Sequence, residues 1–508
     1  MSIDPFLSLT WRKRLASRLE RWYSFWRRPL APSRLRRTTS GPPNLVVTAV
    51  DTLRWDHLGL AGYPRSTSPH LDDLAAGGIV FRDVTAPAPW TLPSFCSSLT
   101  GLTPGLHRAA LTGVIRNMDQ QPPRRLAEST LTLARHLRGE GYRTAAFYAN
   151  QFFAFGLAES FDHYRYANLP ADDLTFLALE WIRRHADKPF FCFLLYNDPH
   201  EPTMPPPNAW LPFREELTAS GVSPTPDQLR ALARWGDPTA GCPNLGQLQP
   251  PLSPNDQEWL AIKLALYDGA IAFVDETVGA LREQLGRWDL TDQTVITLYS
   301  DHGEEFLDHA ADVCGRHHDP RGVHGIGHGH TLFQELLHVP WLAAGPGLPS
   351  GSEITTPVSL CDIAPTLADW LGVAPLPLPT PAFSPLVGRS QAESSTTANA
   401  TETATDRILL AEAIAYGPDL VAIREGNWKL TATRSGDPLA LYDLGTDPQE
   451  QDDRRAEEPV MVTKLSAYLA TWREATAGLA GEDDETGGGW QDISETVRRR
   501  LQELGYAE

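Results

Sequence analysis

Two patterns of apolar positions alternate along the chain. Asn44–Val50 (NLVVTAV), Phe190–Tyr196 (FFCFLLY) and Val295–Tyr299 (VITLY) are near-continuous apolar and β-branched runs of strand length, the pattern of strands covered on both faces. Thr144–Tyr148 (TAAFY) reads as a further strand, Ile79–Val84 as a short one, and Val339–Ala344 as another apolar segment. Between them Thr67–Gly77, Leu131–Gly139, Ala171–His185 and Asp256–Leu285 have helical spacing. Ser94–Leu99 starts one more helix, which sets Thr91 near a helix N-terminus, where anions are favoured. Strands and helices in alternation predict an α/β domain, a mostly parallel central sheet covered by helices on both faces.

The pattern weakens in four places. Residues 6–28 put Leu7, Trp11, Leu15, Leu19, Trp22 and Trp26 on roughly a 120° arc of a helix with Arg and Lys around it. Such a helix suits an anionic membrane surface or, alternatively, packs on its own domain. Residues 201–255 are proline-rich and irregular, an active-site excursion, and 376–406 are of low complexity. The short apolar runs Ile408–Ala422, Trp428–Thr433 and Leu439–Leu444, with turns between, predict a small C-terminal antiparallel α+β subdomain. The expected division is a basic segment and linker at 1–40, a catalytic domain at 41–375, a linker or insertion at 376–406, and a subdomain with a helical tail at 407–508.

Charge narrows the function. The net charge is −19, yet residues 1–40 hold ten Lys and Arg against Asp4 and Glu20, a balance of +8 that leaves −27 for the rest. A body so acidic is no general nucleic-acid binder. Five cysteines without C-x-x-C spacing fit neither a disulfide framework nor a thiolate zinc site and point to a reducing compartment. With no leader pattern and no 18-residue apolar run, the expectation is a cytoplasmic protein, peripheral to the inner membrane face if residues 6–28 bind lipid.

Three buried strands run into Asp51, Asp198-Pro199-His200 and Asp301-His302. Ligands gather at the carboxyl ends of such strands, so the acids and imidazoles fall on one sheet edge. Mixed oxygen and nitrogen donors suit Zn²⁺ or Mn²⁺, with Ca²⁺ or Mg²⁺ less well matched. A single strand-end Asp is more often a cap than a ligand; three ends together favour a metal.

Several segments, in order, resemble the sulfatase family of the alkaline-phosphatase-like superfamily: NLVVTAVDTLRWDHLGLAGY, TLPSFCSSLTG, GYRTAAF, DPHEP, YDGAIAFVD, YSDHGEEFLDH, GHGHTLFQELLHVPWL, CDIAPTLADWLG and LALYDLGTDPQEQ. The resemblance covers most of 44–375 and extends more weakly to about 455. It implies an alkaline-phosphatase-like fold, Asp51, Asp301 and His302 as metal ligands, and Thr91 as nucleophile with its oxygen at the metal. It also implies that His200 and His328 reach the active site, as general acid, oxyanion donors or, with Asp198, ligands of a second metal. The bland alternative has Asp198 capping a turn and His328 only hydrogen-bonding. Asn150 contacts substrate or simply closes a turn. His317, His318, His324 and His330 read as loop surface, and His57 and His70 as structural.

The departures from the family are chemical. Its formylglycine comes from Cys or Ser, whereas threonine, a secondary alcohol, would give only a ketone. Cys96 lacks the following x-Pro-x-Arg and reads as a buried helix residue. Phe95 replaces the usual Arg, Thr52 the second strand acid, and His302 an Asn. These changes resemble the superfamily's phosphatases, phosphodiesterases and phosphoglycerol transferases. The expected activity is therefore metal-dependent hydrolysis of a phosphate mono- or diester, of a small molecule or a lipid head group, through a phospho-enzyme on Thr91. The alternatives are sulfate ester hydrolysis, head-group transfer at a membrane, and a non-catalytic scaffold.

Overall fold

The computed structural model describes residues 41–232, 248, 250–310, 319–322, 325–378 and 407–479. The amphipathic 6–28 segment and nearly all of 376–406 lie outside them.

An eight-stranded sheet organises the main body, in the order Ser352–Ile354, Ile79–Phe81, Trp341–Ala344, Thr294–Ser300, Asn44–Val50, Phe190–Tyr196, Arg143–Tyr148, His163–Tyr166. Asn44–Val50 is central and parallel to both neighbours, Val50 standing level with Ser300 on one side and Tyr196 on the other. Asp51 and Asp301 therefore leave the sheet side by side. The strand is buried throughout because both faces are covered: Leu45, Val47 and Ala49 join one core cluster, Val46 and Val50 the other. Trp341–Ala344 runs antiparallel to both of its neighbours, the one reversal in an otherwise parallel sheet.

The helix Pro254–Arg287 is the longest element, opened by a capping box in which Ser253 and Asp256 exchange bonds. The 201–255 stretch, expected to be irregular, contains the helices Pro207–Ala219 and Pro226–Leu232. Trp210, Phe213 and Leu217 supply the reason, since they bury against Trp259, Ile262 and Leu266 of the long helix. Proline at the first position of each helix starts it without cost to the hydrogen-bond ladder.

Ile408–Glu412, Leu420–Glu425, Trp428–Thr433 and Pro438–Asp443 form a four-stranded antiparallel sheet, covered by the helix Pro459–Leu479 through Leu465, Leu469 and Trp472. Lys429 and Glu450, both buried, tie it to the main body: they pair at 2.7 Å, and Glu450 also accepts from the Gln334 amide. Among the described residues no helix is long and apolar enough to cross a membrane.

Candidate active site

Thr91 is the first residue of the helix Thr91–Thr100. Trp90 before it offers no side-chain cap, so the first-turn amides of Thr91 and Leu92 stay available while Pro93 has none to offer. The helix is pinned to the Asp301 strand end by Ser94 Oγ, which donates to the Asp301 carbonyl at 2.6 Å, and by Ser98, 2.8 Å from the Tyr299 hydroxyl. That pinning brings a hydroxyl and an acid from distant sequence into one cluster.

Among the described residues one group of acids and imidazoles converges closely enough to share a cation: Asp51, Asp301 and His302, all fully buried. His302 Nε2 lies 3.4 Å from Asp51 Oδ1, 3.5 Å from Asp301 Oδ2 and 3.4 Å from Thr91 Oγ1. Donors about 2.1 Å from a tetrahedral ion lie about 3.4 Å from one another, so the spacing fits. Asp51 Oδ1 and Asp301 Oδ2 have no hydrogen-bond partner although both are buried, a costly state that a cation relieves. His302 directs Nδ1 at the Gly303 carbonyl, 2.9 Å away, which leaves the Nε2 lone pair for the cluster. Burial, with the charge of His328, pulls this imidazole down to about 3, so it is a neutral donor atom. Burial and the charge of Asp51 hold the Asp301 carboxyl well above the usual range.

Asn150 completes the group. Its Oδ1 accepts from the Phe152 amide at 2.9 Å, capping a turn, and this turns Nδ2 toward Asp51 Oδ2 at 2.6 Å and Thr91 Oγ1 at 3.4 Å. The turn-closing and site-facing roles thus belong to one side chain.

A sulfatase family model matches residues 43–373, most of the chain. A curated sulfatase of Formosa agariphila is 24% identical over 375 residues, 65% of this chain and 69% of that relative. The choline-sulfatase of Rhizobium meliloti and the arylsulfatase K of mouse and of rat are matched over only 31–34% of their length. The chain belongs to the sulfatase family. Its place is among the ester hydrolases of the alkaline-phosphatase-like superfamily, and the fold agrees. A protein solved with its substrate D-glucosamine-2-N,6-O-disulfate superposes with a TM-score of 0.64 at 17% identity, over 88% of this chain and all of the other. The phosphonate monoester hydrolase of Agrobacterium radiobacter does so at 0.59 and 21%, over 85% and 96%.

Within the sulfatase framework the departures have a physical setting. Phe95 is fully buried among Phe153, Phe193 and Tyr299, with ring centroids 6.1–6.2 Å apart, so an aromatic core fills the place of a cation. Cys96 is buried in the same helix and its thiol is pushed well up by burial. Thr52 adopts φ 59°, unusual for a β-branched residue, with its amide 3.4 Å from Asp301 Oδ1.

Asp198, His200 and His328 do not gather into a second three-ligand group. The Asp198 carboxylate accepts from the Ala171 amide at 3.0 Å, at the start of the helix Ala171–His185, whose first-turn amides lack intrahelical acceptors. His200 and His328 stay together, ring centroids 4.9 Å apart, and His328 lies 4.5 Å from His302. His330, expected on the surface, is buried with Nε2 2.7 Å from Glu305. His317, His318 and His324 lie outside the described residues. His57 binds Asp268 at 2.8 Å, away from the cluster.

Three buried charges escaped the sequence reading: Glu304, Glu305 and Lys263. Lys263 pairs with Glu201 beside His200, and burial pulls its ammonium down to about 8. Its position was a usable signal, one helical turn after Trp259 on a stripe that is otherwise apolar.

Proposed function

We propose that the chain hydrolyses phosphate mono- or diesters, with Thr91 as the nucleophile. One observation carries the reading: a threonine hydroxyl, which cannot be matured to an aldehyde, sits 3.4 Å from His302 Nε2 and 3.4 Å from Asn150 Nδ2 in the acid–imidazole cluster. Asp51, Asp301, His302 and Thr91 would hold a divalent ion, Zn²⁺ or Mn²⁺ by their chemistry, which when bound lowers the hydroxyl pKa and offsets phosphoryl charge. Asn150 keeps Thr91 and Asp51 in register, and the amides of Thr91 and Leu92 at the helix N-terminus receive phosphoryl oxygens. Oγ1 then bonds to phosphorus as the ester oxygen departs, and water opens the phosphothreonine, returning the hydroxyl. Phosphothreonine needs no internal hydroxyl to release its phosphoryl group, which water takes at phosphorus, whereas a threonine sulfate would lack the exit that an aldehyde hydrate has. The fold houses phosphorus ester chemistry in phosphonate monoester hydrolase.

Family membership favours a second reading, sulfate ester hydrolysis. Purified protein loaded with Zn²⁺ or Mn²⁺ and assayed on aryl phosphate, aryl phosphodiester and aryl sulfate separates the two. Thr91→Ala is expected to lower kcat/KM at least roughly a thousandfold on the preferred phosphorus ester. Full activity in that variant would exclude Thr91 as nucleophile, and faster turnover of sulfate than of either phosphate would replace the first reading by the second.

A further inference from the structure

Glu304 is 1% exposed, and its Oε2 has no hydrogen-bond partner. Its Oε1 lies 3.2 Å from His328 Nδ1. No other side chain among the described residues hydrogen-bonds this carboxylate; the charge of Lys263 favours its ionised form, but that ammonium is paired with Glu201. A carboxylate buried with one oxygen unsatisfied is a cost to the fold, so the fold does not gain by keeping it for stability.

The backbone holds the pair on purpose-built ground. Glu305–Phe306 and Ile326–Gly327 form a two-stranded antiparallel ribbon in which Gly327 faces Glu305, and the next step of that register sets Glu304 against His328. Gly327, at φ 101°, lets the chain turn there, and a Cβ on it would stand 3.8 Å from Glu304 Oε1. On the other side the Glu304 carbonyl accepts from Arg54 Nη1 at 3.0 Å, and Arg54 is itself clamped by Asp56 and Asp308. The acid cannot drift away from the imidazole.

We infer that Glu304 is a positioning residue for the ester-cleaving site: it engages His328 Nδ1 and thereby makes Nε2 the nitrogen that His328 presents to the substrate. The inference rests on the phosphoesterase reading only in placing substrate next to His328. The ring stands 4.5 Å from His302, whose Nε2 is 3.4 Å from the Thr91 hydroxyl, so a substrate seated on Thr91 meets His328 on the way out. A carboxylate behind an imidazole fixes ring orientation and tautomer in this manner wherever a histidine must offer one defined nitrogen.

The test uses the full chain and the variants Glu304→Gln, Glu304→Ala, His328→Ala and the Glu304→Ala/His328→Ala pair. Long-range nitrogen–proton spectra of histidine-labelled protein are expected to show, besides His302 and His200, whose Nδ1 atoms face carbonyls, a further ring with Nδ1 protonated and Nε2 bare that is absent from His328→Ala and shifted in Glu304→Ala. In turnover Glu304→Ala is expected to lose roughly 10–100-fold in kcat with KM changed less than threefold, Glu304→Gln to recover part of it, and the double variant to fall no further than His328→Ala. Additive losses, or an unmoved His328 signature in folded Glu304→Ala, would overturn the inference. Unchanged melting of Glu304→Gln guards against misfolding as the cause. The spectra and the coupling can be read on whichever ester is turned over, so an active Thr91→Ala would sink the nucleophile assignment and leave this test intact.

Discussion

Removing the cation should be the most revealing perturbation. Asp51 Oδ1 and Asp301 Oδ2 are buried acceptors without partners, and each such group costs about 1–3 kcal/mol, so roughly 2–6 kcal/mol waits to be relieved by binding. At a hundredfold excess over Kd, binding to the folded state alone stabilises by about 2.7 kcal/mol. For a domain of this size that is a rise of roughly 3–4 °C in Tm. The assay is thermal unfolding of chelator-stripped protein with Zn²⁺, Mn²⁺, Mg²⁺ or Ca²⁺ added singly, followed by elemental analysis of the retained metal. Asp301→Asn is expected to abolish the shift and, by removing one of two buried like charges, to raise the Tm of the stripped protein. No shift with any of the four ions, or an undiminished shift in Asp301→Asn, would refute the cluster as a metal site.

Three further outcomes follow from other parts of the molecule. Asn150→Leu should lower kcat by roughly a hundredfold with little change in far-UV spectra, because it removes the donor shared by Asp51 and Thr91; steady-state kinetics at saturating metal checks it. Lys429→Met should cost about 3–5 kcal/mol in denaturant unfolding by leaving Glu450 buried and unpaired, and the Lys429→Met/Glu450→Gln pair should recover part of that. Burial opposes the His309 charge, but Glu335, 2.7 Å away, outweighs it and raises the imidazole to about 9. A raised value means the folded state holds the proton longer than the unfolded chain. That contribution is complete below about pH 6.5 and is lost as pH rises to about 9, so Tm should fall across this window and His309→Gln should flatten the fall.

Much of the architecture could be read from periodicity, because it records how many faces of an element are covered. Phe190–Tyr196 is apolar at every position and Asn44–Val50 at all but Asn44 and Thr48, and a strand of that composition has no stable place except between two layers. The helix Ala171–His185 carries its buried Leu174, Ala178 and Ile182 at helical spacing, and its limits follow from that. The acids were legible for the same reason: a polar residue ending a wholly buried run must emerge at the sheet edge. The 201–255 stretch was not, since Pro207 and Pro226 start helices rather than break them, a distinction made by the partner surface on Pro254–Arg287.

Local sequence by itself thus determined the buried central strands and where they end, but not the edge strands His163–Tyr166 and Ser352–Ile354, which carry no continuous apolar run. Tertiary structure decided who meets whom. The parallel register sets Asp51 level with Asp301, Ser94 draws the Thr91 helix onto that edge, and the amide at the start of Ala171–His185 engages Asp198. It also decided that Glu304 and Lys263 are buried charges, one against an imidazole and one against a carboxylate. The physical reason is that periodicity reports burial one element at a time, whereas a hydrogen bond or a shared cation depends on the separation of atoms that packing alone sets.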